Sequence, residues 1–170
     1  PSIYKVPVTM HHQHLDEIVL RKTGIEPQGE PHMAPWLDFL ERMDNAAETV
    51  TIGLVGKYVE LQDAYKSINE ALFQAATYND HRLRLVSVHS EKINEGNVDA
   101  LLGDMDGVVV APGFGSRGIE GKFVALHWCR THNIPTLGIC LGMQCMVIEF
   151  ARNVMGLKGA NSTEMDPNTS

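Results

Sequence analysis

The sequence predicts an α/β fold, an open and mostly parallel sheet with helices on both faces. Three observations predict it. From Glu48 onward, short apolar runs alternate with stretches of helical spacing. One run, Gly107-Val108-Val109-Val110-Ala111, is almost wholly apolar, as a strand covered on both faces must be. The last run feeds a tight Gly-x-Cys-x-Gly turn that opens directly into another helical stretch. Strands that alternate with helices call for right-handed crossovers and therefore for parallel pairing.

In chain order, Ser2-Ile3-Tyr4-Lys5-Val6-Pro7-Val8 reads as a strand entered midway, and Leu15–Leu20 as a helix. Gly24 to Pro35, with Pro27, Gly29, Pro31 and Pro35, reads as a linker. Trp36–Leu40 has the spacing of a short helix. Residues 1 to about 46 thus differ in texture from 47–170, and two units are expected. In the second unit, Val50–Val55 is a buried strand. Tyr65, Ile68, Leu72 and Ala75 share one helix face, and Leu83–Val88 is the next strand. A helical piece around Val98–Leu102 precedes the Gly107–Ala111 strand. Ile119, Phe123 and Leu126 mark a helix that ends before Pro135. Ile134–Leu137 is the last strand, and Met143–Ile148 the last helix. Ligands of such sheets bind beyond the carboxyl ends of the strands.

Composition narrows the function classes. The 170 residues are 44% hydrophobic and 21% charged, with a net charge of −7. That charge argues against nucleic acid or an anionic membrane as partner. No apolar run reaches the ~18 residues that span a bilayer. Three cysteines without a CxxC spacing make no disulfide framework, so a reducing, cytoplasmic setting is expected. The chain opens without Met, which suggests an excerpt of a longer protein.

Chemistry concentrates at two places. In Gly138-Ile139-Cys140-Leu141-Gly142, the strand, sharp turn and helix form a nucleophile elbow. Small flanking residues permit the turn, and the positive end of the helix favours thiolate at Cys140. Pro112-Gly113-Phe114-Gly115-Ser116-Arg117-Gly118 follows a neighbouring strand. Its backbone N–H groups, with that of Leu141, can hold the oxygen of a tetrahedral intermediate. Acyl transfer through a thioester is the chemistry these parts suit. Cys145 and Cys129 read as core. Gly56-Lys57 lacks the remaining residues of a phosphate loop, since Thr51 and Tyr58 stand at the key positions. His11, His12 and His14 read as a solvated segment, and no metal site is expected. No histidine follows Cys140. His81, His89, His127 and His132 precede it on segments with no evident reason to reach the sulfur.

Gly138–Gln144 resembles the nucleophile motif of the class I glutamine amidotransferases, whose fold is flavodoxin-like. Gly56-Lys57-Tyr58-Val59-Glu60-Leu61-Gln62-Asp63-Ala64-Tyr65-Lys66-Ser67 narrows the resemblance to the CTP synthase family. Gly113–Gly121 and Ala160-Asn161-Ser162-Thr163-Glu164 support it. The resemblance implies that residues 1–46 are the end of a synthetase domain and its linker, and that 47–170 are a partial, truncated glutaminase domain. It implies that Cys140 attacks glutamine. Gly113, Leu141, Gly142, Met143 and Gln144 would hold glutamine and its oxyanion, and Glu164 would contact its amino-acid end. Phe114 would lie in the loop through which GTP activates the enzyme. Ammonia would pass to the synthetase domain, where ATP and Mg²⁺ serve the amination of UTP to CTP. The resemblance also implies a homotetrameric parent, in which the Lys57–Ser67 stretch would face the synthetase domain.

Two departures stand out. The family often has glycine where this chain has Pro112, which removes a backbone donor. The family's catalytic His and Glu lie far downstream of the nucleophile, and this chain stops at Ser170. The isolated 170 residues are therefore expected to turn over little glutamine. Another class I amidotransferase, a γ-glutamyl hydrolase and a non-catalytic scaffold are the alternatives.

Overall fold

The computed structural model describes residues 2–61 and 63–169. Four parallel strands form one sheet in the order β2-β1-β3-β4. They are β1 (Glu48–Gly56), β2 (His81–His89), β3 (Gly107–Val110) and β4 (Thr136–Gly138). Helix α4 (Lys66–Tyr78) joins β1 to β2, α5 (Val98–Leu102) precedes β3, α6 (Ile119–Thr131) joins β3 to β4, and α7 (Leu141–Asn153) follows the elbow.

Alternation along the central strands sends side chains to two separate cores. Val55, Val108 and Val110 pack with Val98 and Leu102 of α5, Ala125, Leu126 and Cys129 of α6, and Leu141 and Cys145 of α7. Leu54, Val109 and Ala111 point the other way, against Tyr65 and against Ile68 and Leu72 of α4. Helices thus cover both faces, as the apolar β3 requires. All four residues of β3 are buried. The register runs from Glu48↔His81 to Gly56↔His89 and from Ile52↔Gly107 to Val55↔Val110. It ends Gly56, Ala111 and Cys140 at the same edge of the sheet.

The amino-terminal segment corrects the sequence expectation. Residues 2–8 are not a strand: Ile3–Lys5 form a 3-10 turn, and helix α1 is Val6–His12. The Ser2 hydroxyl accepts the Tyr4 N–H at 3.3 Å, and Pro7 sits in the first turn of α1, where its missing N–H costs nothing. The β-branched residues suggest a strand, but the segment is anchored through Tyr4 on Trp36, Phe39 and Phe73 and pairs with neither edge of the sheet. Helices α2 (Leu15–Thr23) and α3 (Ala34–Asn45) follow, separated by the Pro/Gly-rich stretch. The Tyr4 ring lies 5.4 Å from Phe39 and 5.1 Å from Phe73, and Trp36 Nε1 donates to the Tyr4 carbonyl at 2.9 Å. This aromatic cluster seats the segment on α4. No helix among the described residues is long and apolar enough to cross a membrane.

Candidate active site

The site is built at the junction of β4 and α7. Cys140 has φ 53° and ψ −111°, a left-handed conformation for a residue with a side chain. Such a conformation costs on the order of 1–3 kcal/mol and persists only where its surroundings enforce it. Here they do. Ile139 N–H donates to Val110 O at 3.0 Å, tying the turn to β3. Gly142 N–H donates to Ile139 O at 2.9 Å, and Gln144 N–H to Cys140 O at 3.1 Å, so the helix starts at once. A Cβ on Gly138 would stand 2.6 Å from the backbone of Gly142 and Met143. The space that excludes a side chain at 138 is therefore the helix itself rather than a neighbouring strand. The elbow leaves Cys140 exposed, whereas Cys129 and Cys145 are buried.

The thiols differ accordingly. Burial pushes Cys145 up to about 11, although the Lys122 ammonium opposes it. Burial also raises Cys129, against a hydrogen bond from Thr136. Cys140 stands at the positive end of the 13-residue α7. The N–H of Leu141, in the first turn, has no intrahelical acceptor and is free to meet a developing negative charge.

The glycine-rich loop lies beside the elbow. The Cβ position of Gly113 is 3.7 Å from Leu141 Cδ2, so the residue after the nucleophile touches the loop. Phe114 is 80% exposed. Gln144 and Glu164, twenty residues apart in sequence, meet: Gln144 Nε2 donates to Glu164 Oε2 at 2.8 Å. Ser162 Oγ donates to Gln144 Oε1 at 2.5 Å, and Arg152 Nε holds Ala160 O at 2.7 Å. The 160–164 stretch thereby folds back onto α7. Met143 is exposed and Gly142 buried, both in the first turn of α7. Gln62, part of the Gly56–Ser67 motif, lies outside the described residues.

Sequence reasoning missed Lys122 at this site, and it set Lys57 only in a rejected phosphate loop and in the stretch expected to face the synthetase domain. Both are buried, Lys57 6% and Lys122 1% exposed. Lys57 Nζ donates to the Phe114 carbonyl, and Lys122 Nζ donates to the Ala111 carbonyl at 2.7 Å. A lysine in the middle of an amphipathic stretch reads as solvated, and only the crossover of α6 buries it. Nearby, the Tyr58 ring lies 5.4 Å from the Arg117 guanidinium.

The histidines are engaged elsewhere. His127 Nδ1 is 3.0 Å from Glu149 Oε1, His132 Nδ1 is 2.9 Å from Trp128 O, and His89 Nδ1 accepts the Glu91 N–H at 3.3 Å. His81 Nε2 faces Glu48 at 3.3 Å. Among the described residues Cys140 has no histidine hydrogen-bond partner, and no group of three or more His, Cys, Asp or Glu is placed to hold a metal ion. His11 faces Asp16 at 2.6 Å, and His14 faces Glu17 at 2.9 Å.

Comparison with known proteins agrees with this geometry. The chain is 63% identical over 168 residues to a CTP synthase of Porphyromonas gingivalis, covering 99% of this chain and 31% of the relative. It is 62% identical to one of Bacteroides fragilis, covering 99% and 32%, so it spans about a third of the length of these curated relatives. Among solved structures it resembles the glutaminase domain of Trypanosoma brucei CTPS with bound acivicin. The TM-score is 0.64 at 40% identity, covering 72% of this chain and 48% of that one. The sequence profile described as Glutamine amidotransferase class-I matches residues 60–168. With its parallel sheet, cysteine elbow and adjoining glycine loop, the chain belongs to the class I glutamine amidotransferase family.

Proposed function

We propose that these residues carry the nucleophile side of the glutaminase site of a CTP synthase. Cys140 Sγ, as thiolate, attacks the side-chain carbonyl carbon of glutamine, and the carbonyl electron pair moves onto oxygen. The Leu141 N–H and the Gly113 segment of the loop face that oxyanion. Collapse re-forms the carbonyl and expels the amine, which takes a proton and leaves as ammonia. Water then cleaves the γ-glutamyl thioester to glutamate and frees the thiol. Glu164 meets the α-ammonium of the substrate, a reading supported by its hydrogen bond from Gln144. The observation that supports this best is the exposed cysteine in a strained turn, with Leu141 against Gly113.

Proton transfer is assigned to a base supplied by the rest of the protein, because no histidine among the described residues is hydrogen-bonded to Cys140 and His127, His132 and His89 face other partners. The isolated stretch therefore turns over negligible glutamine. In the whole protein, ammonia aminates UTP activated by ATP in a synthetase domain, with residues 1–46 as the end of that domain and its linker. Mg²⁺ is assigned to the synthetase domain, and no step through the ion is assigned to this chain. Cytoplasmic location, GTP activation through the Phe114 loop and a homotetrameric assembly belong to the same proposal.

The test is Cys140→Ser in the full-length protein. We expect glutamine-dependent CTP formation to be lost while formation from added ammonium salt continues. Retention of glutamine use, or a wild-type protein that cannot aminate UTP, would overturn the assignment.

A further inference from the structure

Lys122 and Lys57 have no carboxylate within salt-bridge distance among the described residues, yet both are more than nine-tenths buried. Burying an ammonium without a counter-ion is costly unless its protons are satisfied. Each donates one hydrogen bond, and both go to one place, the glycine-rich loop. Lys122 takes the Ala111 carbonyl at its start and Lys57 the Phe114 carbonyl three residues on. Gly113 lies between them: its Cβ position is 3.3 Å from Lys57 Cε and 3.9 Å from Lys122 Nζ. Peptide units are trans, so the Phe114 carbonyl that faces Lys57 turns the Gly115 N–H the opposite way.

We propose that Lys122, seconded by Lys57, forms a cationic floor beneath the oxyanion loop. It holds the loop's carbonyls inward and sets a positive charge under Gly113, where the substrate oxygen becomes negative. The inference rests on the assignment of Cys140 as nucleophile. Lys122 touches no reacting atom and is a positioning residue. Its charge counts because the loop and α6 exclude water above and below it, and a fixed charge in such a place acts more strongly than one in solvent. Burial and the neighbouring Lys57 lower the Lys122 ammonium from its ordinary value, and the Cys145 and Cys140 sulfurs oppose that shift in favour of the charged form. Pro112 sharpens the need, since it offers no N–H of its own.

Lys122→Met removes charge and donor; Lys122→Gln keeps a donor for Ala111 and removes only the charge. In the full-length protein both are expected to lower glutamine-dependent kcat by roughly tenfold or more, with KM for glutamine within about threefold. Ammonia-dependent CTP formation, which bypasses the glutaminase site, reports folding. Inactivation by a diazo-ketone glutamine analogue should slow in parallel with kcat. A kcat within about twofold of wild type in either folded variant, or a loss confined to KM, overturns the role of Lys122. A wild-type protein that cannot use glutamine refutes the site assignment instead, so the two failures are distinct.

Discussion

Gly142 presses against the backbone of Val110: a Cβ at 142 would stand 2.1 Å from the Val110 carbonyl oxygen. That oxygen already accepts the Ile139 N–H at 3.0 Å and cannot retreat without breaking the link between the elbow and β3. The close approach seats α7 over the sheet and aims its first turn at the site.

Gly142→Ala is therefore expected to destabilise the fold by about 2–3 kcal/mol, at the upper end of overpacking costs, or to displace α7. Urea unfolding of the 170-residue chain measures it. An unchanged midpoint would show that the contact with Val110 relaxes freely.

Cysteine reactivity follows from exposure. Cys140 is open, while burial holds Cys145 at about 11 and raises Cys129. Under native conditions at pH 8, iodoacetamide is expected to modify Cys140 at least about tenfold faster than either neighbour, and all three after denaturation. Cys140 and Cys145 fall in one tryptic peptide, between Arg130 and Arg152, so fragment-ion mapping makes the assignment. Comparable labelling of Cys145 would mean that the α7 core opens.

Glu149 ties α7 to α6. Its side chain is 3% exposed; Arg130 Nη2 donates to it at 2.7 Å, and Asn153 Nδ2 at 3.0 Å. Burial alone would raise this carboxyl, but hydrogen bonds from Arg130, His127 and Asn153 outweigh it and bring it to about 2. A depressed carboxyl stabilises the fold fully above its ordinary value of 4.5, and the contribution fades as pH falls toward 2. Relative to Glu149→Gln, the wild type is expected to gain on the order of 3 kcal/mol at pH 7. The gap should narrow between about pH 4.5 and 2. Denaturant titrations of both proteins across that range test it; a gap independent of pH would remove the carboxylate from the account.

The sequence by itself determined the repeating parts. Apolar runs and helical spacings are local periodicities, so β1 to β4, α4, α6 and α7 were legible, and helices on both faces followed from the apolar β3. The elbow was legible too, because a strand, a Gly-x-Cys-x-Gly turn and a helix are contiguous. What only the tertiary structure decided depends on partners distant in the chain. The amino-terminal segment carries β-branched residues, yet it folds as helix because its anchor is Tyr4 among Trp36, Phe39 and Phe73 rather than a strand edge. Gln144 meets Glu164 because 160–164 folds back onto α7. Lys122 looks like a surface charge along the chain, and Lys57 like part of a stretch that faces another domain; the strand order β2-β1-β3-β4 sets the end of β1 beside that of β3, and α6 packs against the core there. Burial is a property of the assembled layers, and no local pattern encodes which cation they enclose.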